Sequence, residues 1–331
     1  MAIEVLRCPN CAAPLPPEAR GEVVCAYCNH VLTNVPGAGA RRWTGPEVGP
    51  DDGLPRVHVE GHTYALMGRI AEGDGCDVFL ARRDRRLTEL VILKVLRAKS
   101  DADLLAREWK VLEALHASDA QGADYFQRLL PQLVSNGKLT GQGLDPRPAS
   151  VFRWRSGFVH TLEDVLRAYP NGVDPRASVW IWKRLLELLG WVHRAGYAHG
   201  AVIPAHVILH AKDHGVVLVG WSSAVRHESI PAVSASAQKF YPAPAWDRRV
   251  ATHGTDLIMA ARSVAWVLGG DPAKGTVPSS VPEPLARLVS DYANLSPDAP
   301  ADDAWEMIER VSQAGRDAFG PPRFVPLVMP V

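Results

Sequence analysis

Four cysteines carry the first recognisable chemistry. Cys8-Pro9-Asn10-Cys11 and Cys25-Ala26-Tyr27-Cys28 form two C-x-x-C pairs separated by thirteen residues. Each pair suits a tight turn that aims two thiolates at one point, and two such turns complete the tetrahedron that zinc prefers. Four protein ligands leave no open coordination position, so Cys8, Cys11, Cys25 and Cys28 are expected to hold a structural zinc. A unit of thirty-odd residues cannot fold on its own core, and zinc supplies about 10–16 kcal/mol of apparent binding energy to such units. The plainer alternative is two unrelated thiol pairs. His30 follows closely but is redundant as a fifth ligand.

A second set of residues could handle phosphate. Gly73-Asp74-Gly75 precedes the apolar run from Val78, and glycine at such a turn lets backbone N–H groups approach an anion closely; alone it reads equally as a hairpin turn. Lys94 interrupts the apolar run Leu90-Val91-Ile92-Leu93, and Glu108 lies on the next helical segment. A lysine in an apolar strand is costly to bury without a partner, so Lys94 and Glu108 are expected to pair. Further on, His199, His206, His210 and His214 fall within sixteen residues. They invite a second metal site, but His214 sits in a turn and the loop geometry argues for dispersal. Ser222, Ser223, Ser229, Ser234 and Ser236 read as a solvated serine-rich loop, with phosphorylation by a separate kinase as the alternative.

In order along the chain, these landmarks resemble the protein kinase family. Val91-Ile92-Leu93-Lys94 stands at the V-A-I-K position, with Gly73, Gly75 and Val78 in the place of the glycine-rich loop and Glu108 in the place of the lysine's partner. His199-Gly200-Ala201-Val202-Ile203-Pro204-Ala205-His206 lines up with H-R-D-L-x-x-x-N, and Val219-Gly220-Trp221-Ser222 with the D-F-G segment. Tyr241-Pro242-Ala243-Pro244-Ala245 resembles the A-P-E segment, and Ser296-Pro297-Asp298-Ala299-Pro300 the late D-P-x-x-R-P segment. The resemblance covers about residues 57–316. It implies an α+β, bilobal protein-kinase-like fold, with a β-rich N-lobe and a helical C-lobe, preceded by a small zinc ribbon.

The same resemblance implies lost catalysis. Ala201 replaces the aspartate that accepts the substrate proton, a role typically worth about 100- to 10,000-fold. Gly220 cannot hold Mg²⁺, and His206 is a poor substitute for asparagine because Mg²⁺ prefers oxygen ligands. The degenerate positions are therefore Ala201, His206 and Gly220. Gly73, Gly75, Val78, Lys94 and Glu108 remain as a vestigial nucleotide site. Ile92, where alanine usually roofs the adenine, narrows any such pocket. ATP is left open and Mg²⁺ is not expected. Ala245 and Ala299 replace both partners of a buried salt bridge, which is nearly neutral where the loss of one partner is not.

The elements that must position these residues follow a simple order. A cysteine unit spans residues 1–34 and a Gly/Pro-rich, charged linker 35–56. An N-lobe over 57–150 opens with strand-like runs at Val57–Val59, Tyr64–Met67, Val78–Ala81 and Leu90–Val95, then a helix over Leu104–His116. A C-lobe over 151–316 is mostly helical, with helices at Leu162–Ala168, Pro175–Ala195, Thr255–Leu268, Glu283–Ala293 and Asp302–Ala314. Short strands interrupt it near Val207–Leu209 and Val216–Val219. The tail is 317–331, and its stretch Phe319–Val331 cannot be helical with that much proline.

The 331 residues carry 36 basic and 36 acidic side chains. This balance gives no global drive toward nucleic acid or anionic lipid. No apolar run reaches the ~18 residues of a membrane span, and the N-terminus lacks a signal-peptide pattern. A cytoplasmic protein with a protein partner is the expectation, with nucleic acid and membrane disfavoured. The functional reading is a pseudokinase acting as a scaffold or regulator in bacterial signalling. The alternatives are an atypical active kinase or other ATP-using transferase, and a zinc-ribbon regulator associated with nucleic acid.

Overall fold

The computed structural model describes residues 22–24, 31–33, 53–85, 89–141, 145–226, 229–296 and 303–329. Cys8, Cys11, Cys25 and Cys28, and with them the expected zinc ribbon, lie outside the described residues, as do most of the linker and Ala299. Strand β1 (Glu22–Val24) pairs antiparallel with β2 (Val31–Thr33). The rest of the chain divides into two compact units. One is formed by residues up to 105 with 132–157, the other by 106–131 with 158–330.

The first unit is a closed antiparallel barrel of six strands. They are β3 (Arg56–Val59), β4 (His62–Glu72), β5 (Cys76–Arg83), β6 (Glu89–Leu96), β7 (Leu133–Thr140) and β8 (Arg147–Arg153), in the order β3-β4-β5-β6-β8-β7. Closure comes from β3. It pairs with β4 along one edge, and through His58 opposite Thr140 and Val59 opposite Leu139 it meets β7 along the other. This closure corrects the expected fold class. The six strands form a closed barrel and not the β-sheet N-lobe of a bilobal protein-kinase-like fold. A closed barrel leaves no sheet edge to protect. Its interior follows the period-two alternation of strands: Val57, Val59, Tyr64, Ala81, Val91, Leu93, Leu139, Ala149 and Val151 form one buried cluster. The Tyr64 hydroxyl shares a hydrogen bond with the Ser135 hydroxyl at 3.0 Å.

The second unit is built on helices. Helix α1 (Ala102–His116) enters it from the first unit, and α2 (Ala123–Phe126) follows. A three-stranded antiparallel sheet, β9 (His160–Thr161), β10 (Val207–His210) and β11 (Gly215–Leu218), has β10 in the middle. Helix α3 (Leu162–Ala168) starts at a capping box in which Thr161 and Asp164 satisfy each other's backbone N–H. Helix α4 (Pro175–Arg194) has Asp174 as N-cap and proline at its first position. Ile181, Trp182, Leu185, Leu186, Leu188, Leu189 and Trp191 make it the apolar centre of the unit. Helix α5 (Ala243–Arg248) is short; α6 (His253–Val267), α7 (Glu283–Ala293) and α8 (Ala304–Phe319) complete the set. Helices α6 and α8 both pack on α4, and α7 packs on α6 and α8. No helix among the described residues is long and apolar enough to cross a membrane.

Candidate functional site

In the first unit, the loop Gly73-Asp74-Gly75 joins β4 to β5 as a three-residue turn closed by Gly73 N–H donating to Cys76 C=O at 2.9 Å. Arg97, just past β6, clamps it. The guanidinium donates to the carbonyls of Gly73 and Asp74, the latter at 2.7 Å, and the Arg97 N–H reaches Gly75 C=O at 2.9 Å. Three loop carbonyls thus accept from one residue. Val78 and Lys94 stand directly opposite each other on β5 and β6, with Lys94 flanked on its other side by Ser150. Leu93 and Val95 alternate with Lys94 and pack into the barrel core, which puts Lys94 and Ile92 on the outer face. The fold therefore brings Val78 and Lys94 together. Lys94 and Glu108 belong to different units.

In the second unit the remaining positions converge on one buried loop, residues 198–206. Asp256 of α6 shapes it. Fully buried, its carboxylate accepts from the backbone N–H of His199 at 2.7 Å and of Gly200 at 2.8 Å, and from the His193 ring at 3.0 Å. Burial pushes the Asp256 pKa up, but the His193 ring and the His199 amide outweigh it and hold it below the usual carboxylate value. Gly200 is left-handed at φ +71°, and a side chain there would meet the Ser223 carbonyl at 2.8 Å. No arginine fits at that position without movement of the backbone.

His199 is fully buried and neutral. Its Nε2 lies 3.1 Å from the Val219 carbonyl and must donate there, while Nδ1 accepts from Ala201 N–H at 3.2 Å. A second ring proton would face that N–H donor. Burial is the main cause that takes its pKa down to about 3, with His206 and His193 adding to the shift. Ala201 is 2% exposed, so its methyl group is packed away. The Ala201 carbonyl accepts from His206 Nδ1 at 2.8 Å, and the His206 backbone closes the loop with bonds to Ile203 and Val219.

His206 and Gly220 fit together sterically. Gly220 is left-handed, and a Cβ built on it would lie 2.5–2.6 Å from three atoms of the His206 ring. The imidazole occupies the volume that a residue-220 side chain would use. Next to it, Trp221 donates its backbone N–H to Glu108 Oε1 at 3.1 Å and its indole N–H to Leu218 C=O at 2.8 Å, and packs edge-on to His199. Both Glu108 and Trp221 are buried. So Glu108, Ala201, His206 and Gly220 belong to one neighbourhood that also contains His199, Trp221 and Asp256.

The other two histidines lie apart from it. His210 packs on Phe158, and His214 is sandwiched between Trp180 and Phe324 at 4.1 and 4.2 Å while donating to Val325 C=O at 2.8 Å. Among the described residues, no group of three or more His, Cys, Asp or Glu is arranged to hold a metal ion. A groove of about 610 Å³ opens where the 3-10 segment Ala235–Phe240 meets α5 and α6, with Lys239, Tyr241, Trp246, Asp247 and Arg262 in its walls. Sequence reasoning missed Arg97 and Arg262. Arg262 acts on backbone carbonyls, which leave no mark in side-chain pattern; Arg97 adds to its carbonyl contacts an ion pair with Glu72 at 2.9 Å, twenty-five residues away.

The chain matches no protein-family model, and no curated protein sequence matches it.

Proposed function

We propose that this chain is a catalytically silent regulator of the pseudokinase type that acts by binding a protein partner, with a structural zinc held by Cys8, Cys11, Cys25 and Cys28. One observation carries the reading. Position 201 offers a buried methyl group, and the ring of His206 fills the space a side chain on Gly220 would need. Phosphoryl transfer depends on oxygen ligands for Mg²⁺ and on a base that takes the hydroxyl proton. The loop 198–206 supplies neither: its side chains are apolar or imidazole, and its backbone is tied to Asp256, Val219, Val225 and Ser263. Protein binding is favoured by the open groove, whose tryptophan and arginine, Trp246 and Arg262, are residue types enriched at protein interfaces.

The deciding measurement is transfer of radiolabelled γ-phosphate from ATP by the full-length chain, with Mg²⁺ or Mn²⁺. No transfer above background is expected. Transfer that disappears in Lys94→Ala would overturn the proposal. Thermal unfolding with ATP, with and without metal, adds a second readout. A metal-dependent rise in Tm would favour the transferase alternative.

A further inference from the structure

We propose that the groove between Ala235–Phe240, α5 and α6 takes an acidic peptide segment of a protein partner, with Arg262 anchoring one of its carboxylates. The inference rests on the protein-binding reading above and gives it a site and a ligand chemistry.

Arg262 projects from α6 and is half-buried. Its Nε donates to the Ala293 carbonyl at 3.0 Å and its Nη1 to the Tyr241 carbonyl at 2.6 Å. Those are backbone acceptors, and among the described residues no carboxylate ion-pairs with it. Two carbonyls orient the guanidinium without neutralising it. Burial lowers its pKa. A positive charge partly removed from water and left without a counter-ion is attracted to an incoming anion more strongly than a solvated one. Arginine also presents a planar fork that matches a carboxylate.

The remaining walls suit a peptide. Lys239, exposed on the rim, lies over the rings of Trp266 and Phe240 at 5.1 and 5.4 Å. Among the lining residues two cations, Lys239 and Arg262, face one carboxylate, the exposed Asp247; Glu163, outside the lining, lies within electrostatic reach of Lys239, which leaves Arg262 as the anchoring charge. Trp246, half-exposed, adds amphipathic surface of the kind that binds peptide side chains and backbone together, while the ring of Tyr241 is buried beneath it. The volume of about 610 Å³ falls within the ~300–1,000 Å³ typical of ligand sites. Nucleic acid is a poorer fit. Two cations opposed by Asp247 are a small charge for a phosphate backbone, whose binding scales with the number of phosphates neutralised.

Fluorescence anisotropy with the full-length chain tests this. The probes are a labelled glutamate-rich dodecapeptide, its glutamine analogue, and inorganic phosphate and a single-stranded oligonucleotide as competitors. The glutamate peptide is expected to bind about tenfold or more tighter than the glutamine analogue, as one charge-assisted hydrogen-bonded pair allows. Arg262→Gln should lose about tenfold and Lys239→Ala about threefold or more. Asp247→Asn should tighten binding, a gain that a merely structural residue would not produce. If Arg262→Gln does not fold, the Lys239 and Asp247 variants decide. Equal binding of the two peptides, indifference to both of those substitutions, or displacement by phosphate or oligonucleotide as effective as by unlabelled peptide would each overturn the proposal. None of these results bears on the phosphate-transfer assay, so the two readings fail separately.

Discussion

Asp256 Oδ2 accepts the backbone N–H of His199 at 2.7 Å, while its Oδ1 takes the N–H of Gly200 at 2.8 Å. The shape of the 198–206 loop is thus dictated from α6, by a carboxylate outside the loop. The side chains at 200 and 201 contribute no hydrogen bond to it. A loop held this way needs no hydrogen bond from the side chains at its centre, which is how Gly200 and Ala201 can occupy it.

Asp256→Ala should be strongly destabilising. It leaves two buried N–H groups without acceptors, at about 1–3 kcal/mol each, and removes the partner of His193. A loss of about 3–5 kcal/mol is expected in urea unfolding. The pH dependence has a definite sign. Because the folded pKa of Asp256 lies below its ordinary value, its contribution is present above the unfolded carboxylate pKa of about 3.9. It is lost as pH falls through the lower, folded value. Asp256→Asn should weaken that acid-side dependence; an unchanged acid transition would argue against the network.

His199 makes stability fall at a milder acidity. Its folded pKa is about 3, against about 6.5 in the unfolded chain. Between those values the unfolded state holds a proton that the folded state excludes, so stability declines as pH drops from about 6.5 toward 3. The slope approaches about 1.4 kcal/mol per pH unit once the unfolded imidazole is charged. Urea midpoints at pH 7, 6, 5 and 4 check this. The midpoint should fall across the series, and His199→Gln should flatten it. A wild-type midpoint constant from pH 7 to 4 would falsify the burial of a neutral ring.

Parts of this architecture were legible in sequence because they obey local rules. The runs at Val57, Tyr64, Val78 and Leu90 alternate as strands do and form β3 to β6. Helices α3 and α7 match their expected bounds, and α4 ends one residue early. Strand β7 was not legible. It contains Asn136-Gly137, a pair that signals a turn, yet both residues sit in the ladder opposite Ser150 and Ala149. The glycine serves a long-range contact: a Cβ on Gly137 would lie 2.0 Å from the Glu60 carboxylate. Without β7 and β8 the strand at Arg56 has no second partner, and the barrel cannot be inferred. Helix α8 runs to Phe319, beyond the expected Ala314, because the proline pair that ends it stands at 321 and 322. At the site, sequence supplied residue types but not their mutual exclusion. Nothing in the spacing of 206 and 220 shows that one ring fills the other's side-chain volume.

The cysteine spacing predicts about one zinc per chain. Metal analysis of protein purified without added chelator checks it, and the paired substitution Cys8→Ser with Cys11→Ser should abolish it. Zinc retained in that variant would remove the ribbon reading. Because the barrel core is made of residues from Val57 to Val151, the loss should leave the urea transition of the remaining chain in place.

The fit between His206 and Gly220 gives the sharpest mechanical prediction. Gly220→Ala adds a Cβ that would sit 2.5–2.6 Å from the imidazole, at a φ of +81°. The left-handed backbone costs a non-glycine residue about 1–2 kcal/mol, and forcing the ring aside adds about 1–3 kcal/mol of overpacking. His206 cannot yield freely, because its Nδ1 is tied to the Ala201 carbonyl at 2.8 Å. A total loss of about 3 kcal/mol is therefore expected for Gly220→Ala alone. With His206→Ala in the background, only the backbone cost should remain, so the double-mutant cycle should show a coupling of about 1 kcal/mol or more. Additive effects would mean that the ring does not occupy this space. The same geometry predicts that Gly220→Asp gains no Mg²⁺-dependent rise in Tm while His206 is present. Such a rise would show that a carboxylate at 220 can displace the ring and reach a metal, and the silence of the site would then rest on Ala201 alone.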